Sequence, residues 1–496
     1  MHGHEKSDRP VVPANPSNKA GQPAAEAGEG SGLGKENAAS TPRPGPSAGV
    51  SVPSGLDRVR RVARQDKDAR FTALLHHVDV DRLRAAYFAL RPKAAPGVDG
   101  VTWEDYGEDL EANLRDLHAR VHRGAYRARP SRRVYIPKAD GRQRPLGVAA
   151  LEDKLLQRAV VEVLNAVYET DFLGFSYGFR PGRSPHHALD ALATGILREK
   201  VNWVLDADIR GFYDAIDHGW MLKFLEHRIA DKRVLRLIRK WLKAGVIENG
   251  EWSETLEGAA QGASASPLLS NVYLHYVFDL WADQWRRRHA HGDVVIVRFA
   301  DDYVAGFEHR DDAERFLADL RGRLAEFSLE LAAEKTRLIE FGRFAAERRQ
   351  KRGLGKPETF QFLGFTHICG KTRNGRFQLK RITDAKRLRA KLHKVKAECR
   401  RRMHLPIPEQ GLWLGSVVRG HLNYYAVPGN IKAVNAFRFQ ATRHWYQALR
   451  RRSQRTSLDW ERMTRLAQRW LPPATIKHPW PDARFDARIR ARSPVR

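Results

Sequence analysis

Two adjacent aspartates, Asp301 and Asp302, stand between apolar residues in the stretch "VRFADDYVAGF". The flanking Val, Phe and Tyr residues predict two strands joined by a tight turn that carries both acids. Two carboxylates at one hairpin tip can face a single site, where divalent cations would neutralise their mutual repulsion. Because aspartates are also common in turns that have only a structural role, the pair alone does not distinguish a metal site from an ordinary turn.

A third acid would complete a two-metal site for phosphoryl transfer, in which cations about 4 Å apart hold the attacking and leaving oxygens. The stretch "VNWVLDADIRGFYDAIDH" predicts a strand that runs into a turn and then a helix. Asp208 follows the apolar part of that strand and is the candidate third ligand. Asp206, Asp214 and Asp217 compete with it, and Asp206 lies on the same strand face, so spacing leaves this choice open.

The charge of the whole chain points to a polyanionic partner. Its 496 residues contain 87 Lys and Arg against 58 Asp and Glu, a net charge of +29, which favours nucleic acid over a merely basic surface. The two cysteines are Cys369 and Cys399, too few for a zinc cluster or a disulfide framework. We therefore expect a cytoplasmic location, and no stretch of the sequence is apolar enough to suggest a membrane-spanning helix.

The elements that must position the acids are visible as patterns. Residues 1–55 are rich in Ala, Gly, Pro and Ser and predict a disordered tail. The stretch "SRRVYIPKADGRQRPLGV" predicts a hairpin that turns at Asp140-Gly141. Helical spacing appears in "EANLRDLHARVHRG", which ends at Gly124, and in "LEDKLLQRAVVEVLNAVYE".

The last quarter of the chain is basic, Trp-rich and predicted to be helical. In "TDAKRLRAKLHKVKAECRRRM" one apolar stripe runs along a helix whose other faces carry Lys and Arg. The stripe consists of Leu388, Leu392, Val395, Cys399 and Met403. A solvated basic helix would show the same pattern, but in so basic a chain we favour a helix that lies on phosphates.

From about Val59 to about Trp480, ordered blocks resemble the reverse transcriptase–maturases encoded by group II introns. "YIPKADGRQRPLGV" is similar to the first two fingers blocks, and "DADIRGFYDAIDH" resembles the palm block with the first metal aspartate. "FADD" resembles the block usually spelled Tyr-Ala-Asp-Asp. The other similar stretches are "PGVDGVTWEDY", "FSYGFRPGRSPHHAL", "AAQGASASPLLSNVYLHYVFD" and "WLGSVVRGHLNYYAVPGNIKAVNAF".

The resemblance implies an α+β right-hand polymerase, with fingers and palm built on antiparallel sheet in residues 56–381. An α-helical thumb or maturase domain with a basic C-terminal extension would occupy residues 382–496. The implied function is an RNA-directed DNA polymerase that adds dNTPs to a DNA primer on an RNA template with two Mg²⁺ ions. It would also bind its intron RNA and assist splicing and mobility. The alternatives are a non-catalytic RNA-binding splicing factor and a host-adopted reverse transcriptase in DNA repair or phage defence.

The same resemblance assigns roles to single residues. It selects Asp208 over Asp206 as the metal ligand that joins Asp301 and Asp302. For the incoming nucleotide it implies Lys138 and Arg144 at the triphosphate, Tyr213 against the sugar 2′ position, Gln261 at the nucleotide and template, and Lys335 near the phosphates. A solvated hairpin, a core tyrosine, a buried glutamine and a surface lysine are the respective alternatives. Weaker RNA-contact candidates are Arg180, Arg183, Trp413, His421, Tyr424 and Tyr425. Aromatic residues among basic ones can stack on unpaired bases, although most Trp and Tyr side chains simply pack in the core.

Three features depart from the family pattern. Phe299 replaces the usual Tyr but keeps the ring, so we expect activity to persist. Ala259-Ala260 begins the block that usually opens with Thr-Pro or a similar pair. No cysteine follows Cys399, where many family members have a zinc-bearing endonuclease. We therefore expect no target-strand cleavage by this chain and priming from another source, such as nascent strands at replication forks.

Overall fold

The computed structural model describes residues 55–137, 143–248, 251–253, 257–259, 262–452 and 458–489. The predicted tail lies outside these residues apart from Gly55, which begins the first helix. The tip of the predicted fingers hairpin, including Lys138, also lies outside them.

The helices are α1 (Gly55–Gln65), α2 (Val80–Ala89), α3 (Trp103–Glu108), α4 (Leu110–His122), α5 (Leu151–Tyr168), α6 (Pro185–Arg198), α7 (His218–Glu226), α8 (Lys232–Leu242), α9 (Ser266–Leu274), α10 (Leu280–Arg288), α11 (Arg310–Ala325), α12 (Ala345–Lys351), α13 (Ala385–Arg401), α14 (Ile407–Tyr425), α15 (Ile431–Arg451), α16 (Trp460–Trp470) and α17 (Pro481–Ile489). A 3₁₀ turn occupies Leu75–His77, and a π-helical turn, His275–Asp279, joins α9 to α10.

The strands are β1 (Ser131–Pro137), β2 (Gln143–Val148), β3 (Trp203–Ala207), β4 (Val246–Glu248), β5 (Glu251–Ser253), β6 (Val294–Phe299), β7 (Asp302–Phe307), β8 (Arg337–Glu340), β9 (Phe360–Phe362), β10 (Phe365–Lys371) and β11 (Phe377–Thr383).

The central sheet has the strand order β6-β7-β3-β8, and all of its pairs are antiparallel. Its strands are almost continuously buried, because α6 packs against β6 while α11 packs against β3 and β7. Apolar runs with no alternation, such as "VVIVRF", are the pattern expected of strands that are covered on both faces. In this sheet the last residues of β3 lie beside the first residues of β7.

Two further sheets, one of four strands and one of three, complete the β structure of the described residues. The order β11-β10-β9 is antiparallel throughout, whereas the sheet β2-β1-β4-β5 contains one parallel pair, β1 with β4. The β1–β4 pair is thus a parallel exception among the antiparallel pairs that were predicted for the fingers and palm. A parallel pair requires a long crossover, and α5 to α8 lie in the chain between β1 and β4. The predicted α+β class is confirmed.

The C-terminal helices α13 to α16 enclose their own apolar core around the fully buried Trp445. The predicted stripe on α13 faces this core, with Val395 and Cys399 buried and the other three members partly buried. α17 returns to pack against α6 beside the central sheet. Within the described residues, no helix combines the length and the apolar character needed to cross a membrane.

Candidate active site

The aspartate pair lies at the tip of the β6–β7 hairpin, as predicted. Phe299 pairs with Asp302, so the two-residue turn consists of Ala300 and Asp301. Ala300 has φ of 56°, a left-handed conformation that glycine usually supplies in such turns. Residues with side chains adopt it at a cost of about 1–2 kcal/mol and need support from their surroundings. The carboxylates therefore sit on a turn whose shape is imposed by the fold.

Asp208 lies directly across from this tip. β3 runs antiparallel to β7, with Ala207 opposite Tyr303, so one further step along the register places Asp208 opposite Asp302. The Asp208 carboxylate contacts the Lys335 ammonium, and its backbone carbonyl accepts a hydrogen bond from the Ala332 N–H at 2.8 Å. The three predicted ligands thus converge at one end of the central sheet.

Asp206, which competed with Asp208 in the sequence, has a different environment. Its carboxylate forms an ion pair with Arg337 on β8 at 3.2 Å. Burial raises the pKa of Asp206, and the guanidinium of Arg337 opposes that rise. This pairing joins neighbouring strands, so Asp206 has a structural partner at a position one residue short of the sheet end.

A buried polar network supports the hairpin tip. Arg298, two residues before Ala300, has only 1% of its surface exposed, and its partner Asp279 has none. The guanidinium donates from Nε and Nη2 to the two carboxylate oxygens of Asp279, each at 2.6 Å. It also donates to Asn271 Oδ1 at 3.1 Å and Ser176 Oγ at 2.7 Å. The fifth bond goes to the backbone carbonyl of Ala300 at 2.8 Å, so every guanidinium N–H is satisfied and one of them fixes the turn.

The π-helical turn brings two of the four residues that accept from Arg298, Asn271 and Asp279, onto one helix face. Eight residues separate Asn271 from Asp279, which would leave them about 80° apart in a regular helix with 3.6 residues per turn. The wider turn at His275–Asp279 accommodates about one additional residue and rotates Asp279 back toward Asn271. Local helix geometry therefore determines how the network closes.

The segment before α6 seals the other side of the turn. Tyr177 N–H donates to the Arg298 carbonyl at 2.8 Å, and Arg298 N–H donates to the Phe175 carbonyl at 2.9 Å, so this segment lies parallel to β6. A Cβ added at Gly178 would lie 2.2 Å from the Ala300 nitrogen, a distance that no side chain could accept. Glycine is required there because two backbone segments approach each other too closely for any other residue.

The predicted nucleotide residues that the structure describes surround the same sheet end. Burial, followed by the nearby Asp301 carboxylate, raises the pKa of Tyr213 to about 12, and Arg144 is close enough to oppose that rise. The Tyr213 carbonyl accepts a hydrogen bond from the Ala259 N–H at 2.8 Å. Ala259 is thus buried against the Tyr213 turn, while Ala260 and the predicted Gln261 lie outside the described residues.

The sheet β2-β1-β4-β5 approaches this part of the chain closely at a second glycine. Gly262 has φ of 105°, and a Cβ built on it would lie 3.0 Å from the Gly147 carbonyl oxygen on β2. Arg144 lies on the same strand and pairs with Ile136 on β1. The structure therefore brings Arg144, Tyr213, Lys335 and the aspartates into one neighbourhood.

Three of the six weaker RNA-contact candidates have buried side chains. Arg180 donates to Glu169 at 3.0 Å and to the carbonyls of Leu173 and Ser176. His421 stacks on Phe437, with ring centroids 3.7 Å apart, and Trp413 lies beneath Arg402. We assign Arg180, Trp413 and His421 to packing.

The other three candidates are partly buried. Arg183 donates to the Gly174 carbonyl and lies over the Tyr177 ring. Tyr424 donates to the Leu363 carbonyl at 2.9 Å, and Tyr425 packs against Phe365. Both tyrosines join α14 to the sheet β11-β10-β9, and their contact with RNA stays a prediction.

Sequence reasoning missed the support network beneath the aspartates. Its signal was a single charged residue within an apolar strand, Arg298 in "VVIVRFADD", and a matching acid in "LHYVFD". A charge that is buried in this way requires a charged partner and further hydrogen bonds. The pattern could have indicated a buried ion pair, although not which acid completes it.

The donor set suits a hard divalent cation. Carboxylate oxygens are the ligands that Mg²⁺ prefers, and Asp208 already contacts a cation, the Lys335 ammonium. A separate group, His291, Asp311 and Asp312, also brings possible ligand atoms within 4.8 Å of one another. There the Asp312 carboxylate accepts hydrogen bonds from the backbone N–H groups of His291 and Gly292. These bonds hold the loop before β6, and they explain the position of Asp312 without a metal ion.

Comparisons with known proteins agree with this geometry. A family model described as reverse transcriptase (RNA-dependent DNA polymerase) matches residues 136–367. Protein YkfC of Escherichia coli strain K12 is 34% identical over 289 residues, which are 51% of this chain and 75% of YkfC. The group II intron-encoded protein LtrA of Lactococcus lactis subsp. cremoris is 35% identical over 224 residues, 44% of this chain and 37% of LtrA. A 91 kDa protein in the cob intron of Schizosaccharomyces pombe is 40% identical over 146 residues, 29% of this chain and 18% of that protein. The chain belongs to the family of group II intron-encoded reverse transcriptases and maturases.

Proposed function

We propose that this chain is an RNA-directed DNA polymerase that adds dNTPs to a primer 3′-OH on an RNA template. The observation that carries the proposal is the convergence of Asp208, Asp301 and Asp302 at one end of the central sheet, with Tyr213 and Arg144 beside them. This arrangement combines hard oxygen ligands with groups that suit a nucleoside triphosphate.

The three aspartates would hold two Mg²⁺ ions, which when bound supply charge stabilisation for the attacking and leaving oxygens. The residues of the chain prepare that site. The Arg298 network fixes the hairpin tip, so the Asp301 and Asp302 carboxylates keep their spacing without reorganisation during the reaction. The Lys335 ammonium balances the charge of Asp208 and would contact a phosphate of the incoming nucleotide.

Two further residues select and hold the nucleotide. Arg144 presents a planar fork that suits bidentate contact with phosphate oxygens. The partly buried ring of Tyr213, anchored by its carbonyl to Ala259, would collide with a ribose 2′-OH and so favour deoxyribonucleotides. Lys138 and Gln261 remain predictions for the same pocket.

The test is single-nucleotide primer extension with Mg²⁺, comparing RNA and DNA templates and comparing dNTPs with rNTPs. We expect extension on an RNA template, with dNTPs preferred. Incorporation that required a DNA template, or equal use of rNTPs, would overturn the proposed substrate class. Tyr213→Phe is the control for the role of the Tyr213 ring in this comparison, because it keeps the ring and removes only the hydroxyl.

A second role, binding of intron RNA to assist splicing and mobility, is supported by the basic face of α13. Exposed cations cover this helix opposite its buried stripe, and they include Lys386, Arg389, Lys394 and Arg400. We propose that α13 to α17, within residues 382–496, form the thumb or maturase domain. Group II intron RNA should bind more tightly than an unrelated RNA of equal length, and equal binding would argue against this role.

A further inference from the structure

Helix α8, which lies far from α13 in the sequence, also carries an unusual set of charges. It contains five cations and no acid in the sequence "KRVLRLIRKWL". Its apolar residues Val234, Leu237, Ile238 and Leu242 are buried, so the cations occupy the outer face. The exposed members are Lys232, Arg233, Arg236 and Arg239, followed by the exposed Lys243 just beyond the helix.

A cleft opens between this face and the end of α4. Its volume is about 110 Å³, and Arg123, Arg233, Arg236 and Lys240 are among the residues that line it. No Asp or Glu appears in the described lining. This volume is large enough for several water molecules, and therefore for one small oxyanion.

The cations around this cleft are close together and poorly neutralised. Burial, with the nearby charges of Arg236 and Arg127, lowers the pKa of Lys240, whose ammonium donates to the Tyr126 carbonyl. Arg233 lies 3.5 Å from Asp231, an acid that also caps the start of α8. Among the described residues, Arg236 and Arg239 take part in no ion pair.

Helix α11 shows that such a face is not general in this chain. α11 has four arginines and four acids, and its ion pairs include Arg310 with Glu314 and Arg315 with Asp312. On α8, by contrast, like charges repel at i,i+4 spacing, as between Lys232 and Arg236. A bound polyanion would relieve that repulsion.

We propose that α8 and the adjoining end of α4 form a second RNA site, outside the aspartate centre, that binds the sugar-phosphate backbone. The cations extend over about 16 Å at 1.5 Å per residue, enough to follow several consecutive phosphates. Trp241, the aromatic residue of α8, donates from its indole to the Tyr126 hydroxyl at 3.0 Å and is partly buried. The helix therefore offers charge without a stacking platform, which suits sequence-independent contact with a structured RNA duplex.

A membrane surface fits these observations less well than a sugar-phosphate backbone. A membrane surface would require apolar side chains at the edge of the basic face, whereas the apolar residues of α8 pack inward or are partly buried. The proposal rests on the proposed function only in taking RNA as the polyanion. It does not require that the aspartate centre be active.

The test uses full-length Arg236→Gln/Arg239→Gln and measures its binding to fluorescein-labelled RNA stems of two unrelated sequences across a range of KCl. Both residues are exposed, so the fold should be preserved, which circular dichroism checks. Losing two phosphate contacts should reduce the slope of log affinity against log salt by about two and weaken binding at least about tenfold at 0.1 M salt. Both stems should respond equally.

The matched control is Arg310→Gln/Arg321→Gln, which removes the same charge from exposed positions on α11. It should change the affinity less than about twofold. Equal loss in both variants, or an unchanged salt slope, would overturn the proposal. A loss of binding to inorganic phosphate or to phosphatidylserine vesicles, with RNA affinity intact, would instead indicate a small-anion or lipid site and would also overturn it.

Primer extension on a short primer-template should be unchanged in both variants, because neither pair belongs to the aspartate centre. If no protein extends the primer but the RNA affinities differ as expected, the polymerase proposal fails and this site stands. If primer extension is normal and the two variants bind RNA with equal affinity, the polymerase proposal stands and the second RNA site fails.

Discussion

The ion pair between Asp279 and Arg298 allows a quantitative prediction. In Asp279→Asn, the amide presents one acceptor and one donor where two guanidinium N–H groups now find two acceptors at 2.6 Å. One N–H then loses its partner at a site with about 1% exposure, and the buried charge loses its counterion. Breaking a buried pair in this way costs about 3–5 kcal/mol. The one charge-assisted hydrogen bond that is lost accounts for about 1.5–3 kcal/mol of this cost, and the uncompensated buried charge accounts for the rest.

The assay is urea unfolding followed by tryptophan fluorescence, for which the chain has 12 Trp. The predicted loss would be a large fraction of the roughly 5–15 kcal/mol that stabilises a typical domain. The double variant Asp279→Leu/Arg298→Met removes both charges together. It should recover part of the lost stability, because apolar side chains of similar size can replace a buried ion pair, while Asn271 Oδ1, Ser176 Oγ and the Ala300 carbonyl lose their donor.

The double variant also separates folding from catalysis. It lacks the hydrogen bond to the Ala300 carbonyl, so the turn that holds the aspartates is no longer fixed from below. We expect a folded protein whose rate of nucleotide incorporation falls about tenfold to a hundredfold. This reasoning would be refuted if Asp279→Asn lowered the free energy of unfolding by less than about 1 kcal/mol. Nucleotide incorporation at the parental rate by the folded double variant would also refute it.

Other predictions concern the same site. Asp208→Asn should abolish nucleotide incorporation, whereas Asp206→Asn should retain it. The free energy of unfolding of Asp206→Asn should fall by at most about 1 kcal/mol, because the arginine partner of Asp206 is half exposed. Equal activities of the two variants in primer extension would contradict the assignment of Asp208. Tyr213→Val should raise rNTP use relative to dNTP use at least about tenfold, measured as the ratio of kcat/KM values, and an unchanged ratio would remove Tyr213 from sugar selection. Gly178→Ala places a Cβ 2.2 Å from the Ala300 nitrogen and should cost about 2 kcal/mol or more in urea unfolding, so a neutral result would show that the contact relaxes freely. Ala300→Gly should stay within about 1 kcal/mol of the parent, because the relief of a positive φ offsets the added chain entropy; a larger loss would mean that the turn geometry is different.

The local elements of the site were predictable from the sequence because each has a short-range signal. Alternating or continuous apolar residues around Asp301 and Asp302 predicted the hairpin, and the strand that ends before Asp208 was found as predicted. The chemistry of a two-metal site suggested a third acid near the pair, and spacing alone left Asp206 as an equal choice with Asp208. The resemblance to known proteins selected Asp208, and the ion pair between Asp206 and Arg337 supports that selection.

What the sequence did not reveal depends on contacts between distant segments. The partners of Arg298 lie 19, 27 and 122 residues away, and no periodic pattern relates them. The parallel pairing of β1 with β4 likewise depends on the path of the helices between them. The burial of Trp413 and His421 was not visible in the sequence, because nothing in the pattern of α14 separates an aromatic residue that packs inward from one that faces RNA.

The central claim is that Asp208, Asp301 and Asp302 form a polymerase centre. Its most direct test is single-turnover incorporation of one dNTP on an RNA template with Mg²⁺, using the parent chain, Asp301→Asn and Asp302→Asn. RNA affinity is measured on the same preparations. We predict incorporation by the parent, loss of at least about a thousandfold in each variant, roughly 4 kcal/mol of transition-state stabilisation, and unchanged RNA affinity. Incorporation by either variant at the parental rate, or none by the parent despite normal RNA binding, would contradict the claim.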